Sequence, residues 1–272
     1  MEKLRLKLPE VINIMKSLYE KTLYLNKDID YLFNCEIREY DMQEAGFNLC
    51  REFKLLPDKT IQYLNTLDKN QRHIQIGVYQ KNKEFANKLK EAFILVRKRF
   101  FEANELDDTD ILAIKKDAIF VIKKNCINQK LSEFINFRPK NQYLGYLYLN
   151  KIEFYYTDPD TDLDIKNLDG GTEIYDYHRD YMIDFIKDLF TMVIYNDRKA
   201  VIKYLTDFIK LYRSNQLENG YYRELNRDSF YEIYDDDMVV RLKDLDPNYN
   251  PELINKTYNY FKYLVPIVNI FI

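Results

Sequence analysis

The stretch Ile111-Leu112-Ala113-Ile114-Lys115-Lys116-Asp117-Ala118-Ile119-Phe120-Val121-Ile122 decides the fold class. Two β-prone runs, Ile111 to Ile114 and Ala118 to Ile122, flank Lys115-Lys116-Asp117, so the segment reads as a tight hairpin with Asp117 at or just after its tip. Upstream, Glu36 to Asp41 alternates as a short strand does, and Met42 to Phe53 turns to helical spacing through Ala45, Leu49 and Phe53. One carboxylate, Asp41, therefore stands where a strand hands over to a helix. A second, Asp117, stands at a hairpin turn.

Working outward, apolar residues Val11, Ile14, Met15, Leu18 and Leu25 predict an amphipathic helix from Leu8 to about Leu25, with Pro9 tolerated in its first turn. Two or three helices follow Pro57. The longest, near Lys81 to Asn104, gathers Phe85, Leu89, Phe93, Val96 and Phe100 on one stripe, and Asp107-Asp108-Thr109-Asp110 ends it. Beyond the hairpin, Glu133 to Phe137 and Tyr143 to Tyr156 are β-rich. The acidic loop Asp158 to Gly171 is the best place for a domain boundary. Helices are expected over Glu173 to Tyr195 and Lys199 to Arg213, then a strand pair over Ser229 to Leu242 broken at Asp235-Asp236-Asp237, then a C-terminal helix. The expectation is an α+β protein: a small antiparallel sheet with packed helices over residues 1–157, and a mainly helical C-terminal region with a short strand pair over 172–272.

Composition narrows the function. With 46% hydrophobic residues in 272, a large core is within reach, and a formal charge of -3 provides no global basic field for a polyanion or an anionic membrane. Any such contact must be local. No apolar run approaches the roughly 20 residues of a membrane helix, and the N-terminus lacks a signal-peptide pattern, so a cytoplasmic protein without a membrane partner is expected. Cys35, Cys50 and Cys126 are widely spaced, which suits buried thiols better than disulfides or zinc, and His73 and His178 are too few for a histidine cage. The 25 Tyr, absence of Trp and scarcity of Gly are what AT-rich codons give, which points to a phage, virus or AT-rich bacterial source.

The order strand, Asp41, helices, hairpin with Asp117 supports a resemblance. EYDMQEAGFNL, residues 39–49, is similar to the first palm motif of DNA polymerases, in which an Asp closes a strand and opens a helix beneath the nucleotide. IKKDAIFV, residues 114–121, resembles the hairpin motif of the family B enzymes, and Lys140 with Tyr143 resembles their primer-contacting strand. QRHIQIGVYQKNK, residues 71–83, sits where a nucleotide-binding finger helix belongs, which makes Arg72, Lys81 and Lys83 triphosphate contacts. The resemblance implies a palm-like sheet and a metal-dependent nucleotidyltransferase. Asp41 and Asp117 would be catalytic and would hold two Mg2+ or Mn2+ ions about 3.5–4 Å apart, since such cations take hard oxygen ligands. It implies nucleic acid and nucleoside triphosphates as partners.

The chain departs from that pattern in two places. Lys115 occupies the position of the first of two acidic hairpin residues, and Gly46 stands where family B places an aromatic gate against ribose. Asp108-Thr109-Asp110 precedes the hairpin instead of capping its turn and is set aside. Each site residue also has an ordinary reading. Asp41 suits a helix N-cap, Asp117 suits turn chemistry, the lysines around the hairpin suit a solvated edge, and Tyr143, Tyr146, Tyr148, Tyr155 and Tyr156 suit a half-buried strand as well as base stacking. The other function reading is a non-catalytic phage accessory or host-interaction protein built on a degenerate palm, with a protein partner at the C-terminal region.

Overall fold

The computed structural model describes residues 18–149, 151–166, 179–214, 216–217 and 265–271. Among the described residues seven strands are formed: β1 (Leu23–Leu25), β2 (Tyr31–Met42), β3 (Ile111–Lys115), β4 (Ala118–Ile122), β5 (Phe137–Leu149), β6 (Ile152–Tyr156) and β7 (Asp164–Lys166). The described helices are α1 (Ala45–Glu52), α2 (Asp58–Asn65), α3 (Lys69–Tyr79), α4 (Lys83–Ala103), α5 (Arg179–Tyr195), α6 (Arg198–Arg213) and α7 (Val265–Phe271). The protein is α+β, as the hairpin stretch predicts. Two compact units divide it: the described residues up to Asp28 with Glu36–Gln142, and Ile29–Cys35 with the described residues from Tyr143 onward.

In the first unit the strands are hydrogen-bonded in the order β1-β3-β4-β2-β5. The predicted hairpin is β3 and β4, antiparallel with Lys115 opposite Ala118, and Lys116 takes the left-handed conformation that closes so short a turn (φ 57). β4 then pairs antiparallel with β2, setting Asp41 opposite Ala118 and Ile37 opposite Ile122. Alternate residues of a strand face opposite ways. Tyr40 and Met42 of β2 therefore enter one core with Ile119 and Val121 of β4 and with Leu49, Leu64, Ile76, Leu89, Val96 and Phe100 of the helices. Glu39 and Asp41 point to the other face.

The helices begin where polar caps permit. Asp68 and Gln71 form a reciprocal capping box at α3, and Asn82 accepts from the amides of Glu84 and Phe85 at α4. α1 differs: Glu44 at its N-cap is left-handed (φ 45) and no side chain caps it. The first-unit half of β5 is the last strand in its order, and Pro139, which has no amide to donate, is tolerated on such an edge.

Two expectations change. The predicted N-terminal helix does not reach Leu25, because Leu23–Leu25 is strand β1, paired antiparallel with β3 from Leu23 opposite Lys115. The hairpin offers an edge there, and the Lys116 amide donates to the Thr22 carbonyl at 2.8 Å. The remainder of that helix, residues 8–17, lies outside the described residues. The β-rich run at Glu133 to Phe137 forms only a bridge between Lys130 and Asn136 before β5 starts at Phe137.

In the second unit the order is β2-β5-β6-β7, with Leu149 opposite Ile152 and Tyr155 opposite Asp164. Leu147, Phe154 and Tyr156 pack with Phe185, Leu189, Phe190, Val201, Leu205, Phe208 and Ile267. Asp197 caps α6 by accepting from the Ala200 amide at 2.8 Å. At Gly145, α5 packs close against β5, since a Cβ there would lie 2.6 Å from the Phe190 ring. The strand pair expected over Ser229 to Leu242, and His178, lie outside the described residues.

Candidate functional site

Asp41 and Asp117 come together at one end of the first-unit sheet. Asp41 faces Ala118 across the ladder, and the next amide along β2, that of Met42, donates to the Asp117 carbonyl at 3.1 Å. Burial raises the Asp41 carboxyl above its ordinary value, and the Asp117 charge raises it further; Lys140 and Arg138 act against this, while Glu39 adds to it. Two carboxylates, two bases and a third acid thus share one electrostatic neighbourhood. Among the described residues neither Asp41 nor Asp117 accepts a side-chain hydrogen bond or forms an ion pair.

That geometry removes the ordinary reading of Asp41. Asp41 lies inside β2, and the N-cap of α1 is Glu44, so Asp41 caps no helix. Asp117 occupies the hairpin turn, yet its carboxylate makes no bond to the local backbone among the described residues. The acidic triplet nearby is structural: Asp107 and Asp110 cap a short 3-10 turn over Asp108–Asp110, and Asp110 pairs with Lys124 at 3.1 Å.

The flank of the pair is basic and polar. Glu39 is 2% exposed, and its two oxygens are held by Lys140 at 3.3 Å and Asn141 at 2.8 Å. Beneath the turn, α4 sends up Arg97, itself 1% exposed, whose Nε donates to the Tyr19 carbonyl and Nη1 to the Lys116 carbonyl, both at 2.9 Å. A guanidinium therefore fixes the backbone just before Asp117. Burial pushes it down to about 10.

The other sequence candidates fall elsewhere. Arg72, on α3, donates to the Leu67 carbonyl at 3.1 Å and pairs with Glu44 at 2.9 Å, and its Nε is buried without a partner. Lys81 and Lys83 are exposed around the start of α4. Gly46 faces α3, where a Cβ would meet Ile76 Cγ2 at 3.2 Å, so its smallness serves the packing of α1 on α3. Tyr143 belongs to the second unit: it is 2% exposed, its hydroxyl donates to Asp164, and its ring lies 4.9 Å from Tyr155. Tyr146, Tyr155 and Tyr156 are equally buried, which favours the strand-packing reading of the tyrosine run over base stacking.

Sequence reasoning missed Glu39, Arg138, Arg97 and a cleft of about 420 Å3 lined in part by Gln43, Glu44, Arg51, Arg72, Lys130 and Phe134. Arg97 left a trace, being a cation on the buried stripe four residues after Phe93 and four before Phe101. No group of three or more His, Cys, Asp or Glu able to hold an ion occurs among the described residues, and no helix there is long and apolar enough to cross a membrane. Cys35, Cys50 and Cys126 are free and buried. Residues 14–272 match the pattern of a family described as Bacteriophage PBS1 gene 130 protein. No curated protein matches the chain.

Proposed function

The chain belongs to the bacteriophage PBS1 gene 130 protein family, and from that premise we propose that it is a metal-dependent nucleotidyltransferase acting in the host cytoplasm. One observation carries this reading: Asp41, in β2, and Asp117, in the turn just before β4, lie close enough for the charge of one to raise the carboxyl of the other, with no described donor to satisfy either. Two such oxygens repel, and a hard divalent cation is the partner that removes the repulsion. Asp41 and Asp117 would hold Mg2+ or Mn2+. The ion would activate an attacking hydroxyl and neutralise charge on the transferring phosphoryl group. Lys140 and Arg138 place positive charge beside the pair, Arg97 holds the turn, and Arg72, Lys81 and Lys83 supply phosphate contacts on the helical side.

The test is incorporation of a nucleoside triphosphate into a primed oligonucleotide with Mg2+ or Mn2+. Asp41→Asn and Asp117→Asn should each abolish incorporation while keeping the wild-type circular dichroism spectrum. Retained incorporation in both variants refutes the reading. A companion measurement is thermal: a cation that binds only the folded state adds about 2.7 kcal/mol at a hundredfold excess over its dissociation constant. The wild type should gain stability with Mn2+ and Asp41→Asn should not.

A second reading rests on the donor count. With Lys115 in the place of a further acid and, among the described residues, no group of three or more His, Cys, Asp or Glu able to hold an ion, the fold also suits a non-catalytic phage accessory or host-interaction protein. Under it, the wild type shows neither incorporation nor a thermal response to Mn2+.

A further inference from the structure

The cleft at the start of α1 has a lining of which the nucleotidyltransferase reading uses only Arg72. Phe134, Arg51, Phe47 and Arg72 alternate along it: the Arg51 guanidinium lies 3.9 Å from the centre of the Phe134 ring and 5.6 Å from that of Phe47, and the Arg72 guanidinium lies 5.1 Å from Phe47. Stacking on rings fixes a guanidinium plane without consuming its N–H donors. Arg51 makes no side-chain hydrogen bond or ion pair among the described residues, so its donor fork is unspent. Lys130, exposed on the lining, is likewise without an acid partner there. The Arg72 Nε is buried with no acceptor. Of the two lining carboxylates, Glu44 is already paired with Arg72 and Glu133 is solvent-exposed.

Three cations are thus held around a volume of about 420 Å3, within the range of small-ligand sites. α1 opens onto the same space through Gln43, Glu44 and Phe47, and its first amides have no side-chain cap. The backbone there is stapled, since the Gln43 amide donates to the Asn136 carbonyl at 3.2 Å and Asn48 Nδ2 to the Gln43 carbonyl at 2.6 Å.

We propose that this cleft binds the phosphate group of a nucleotide or of a single-stranded nucleic acid, gripped by the Arg51 fork with Lys130 and Arg72. A planar fork whose donors are free matches phosphate oxygens bidentately, and charge-assisted bonds of that kind are the strong ones. The site needs no divalent cation and stands whether or not Asp41 and Asp117 are catalytic.

The experiment uses the full chain at low salt in the presence of EDTA. Binding of a fluorescein-labelled oligo(dT) is followed by anisotropy, and binding of ATP by titration calorimetry. Wild type binds at least one probe: ATP binding marks a free nucleotide as the source, and binding of oligo(dT) alone marks the strand. Arg51→Met weakens the interaction about ten- to a hundredfold. Lys130→Ala, at an exposed position that cannot disturb the core, weakens it several-fold and flattens its salt dependence. Lys88→Ala, on α4 and paired with Glu84, leaves it unchanged. The EDTA separates this site from the cation pair, which needs a divalent ion. Wild type that binds neither probe, or Arg51→Met and Lys130→Ala variants that bind as wild type does, overturns the proposal.

Discussion

Replacing Arg97 by Met tests how the Asp117 turn is held. The guanidinium is 1% exposed and donates to two backbone carbonyls, those of Tyr19 and Lys116, at 2.9 Å each. Burial pushes it down to about 10, a desolvation cost of about 3 kcal/mol. Charge-assisted bonds return roughly 1.5–3 kcal/mol each, so the pair contributes about 3–6 kcal/mol. Met keeps most of the volume, removes the charge and leaves both carbonyls without this donor. The difference is a loss of about 0–3 kcal/mol, and about 2 kcal/mol is expected. Arg97→Ala adds a cavity and should cost more.

The assay is urea unfolding followed by tyrosine fluorescence, which the absence of Trp leaves uncontaminated, together with amide hydrogen exchange at Lys116 and Met42. Those two amides donate to the carbonyls of Thr22 and Asp117 and report the turn directly. A base whose folded value is depressed gains stability only as pH rises from about 10 toward its higher unfolded value. The Arg97→Met difference should therefore be flat from about pH 5 to 9. A variant as stable as wild type with unchanged protection at Lys116 and Met42 refutes the reasoning.

Asp41→Asn should raise stability at pH 7. The folded Asp41 carboxyl is raised, by burial first and Asp117 second, so the folded chain loses stability as pH climbs through that raised value. The advantage of the variant should shrink as pH falls toward about 4, and urea midpoints across that range check it. Gly145→Ala places a Cβ 2.6 Å from the Phe190 ring; overpacking of that kind costs about 1–3 kcal/mol, read as a lowered melting temperature. Burial pushes the Cys50 thiol up to about 12 and the Cys126 thiol up to about 11. Iodoacetamide at neutral pH should label both only as fast as the chain opens, and rapid labelling in the native state would contradict their burial.

Local pattern made the hairpin, β2 and the middle helices legible. Ile111 to Ile122 carries its own turn, and the stripe Phe85, Leu89, Val96, Phe100 can only be one face of a helix. The Asp41 and Asp117 neighbourhood followed from that order, because a strand and a hairpin of complementary pattern pair once a core forms on one side. Less visible was β1, a strand of three residues that exists only because the edge of β3 is there to receive it. The burial of Tyr143 was hidden for a similar reason. Its alternation marks a strand, but not that β6 and β7 would bury it against Tyr155 and Asp164.

What the chain's own residues determined is the α+β class, the hairpin and the presence of two acids at strand ends, since periodicity and turn chemistry act over a few neighbouring residues. What only the tertiary structure decided is which charges share a space. Arg97 reaches the turn from nineteen positions before Lys116, Lys140 reaches Glu39 across 101, and Arg51 stacks on Phe134 from a different part of the fold. Coulomb forces and ring stacking depend on distance through space, and sequence separation carries no record of that.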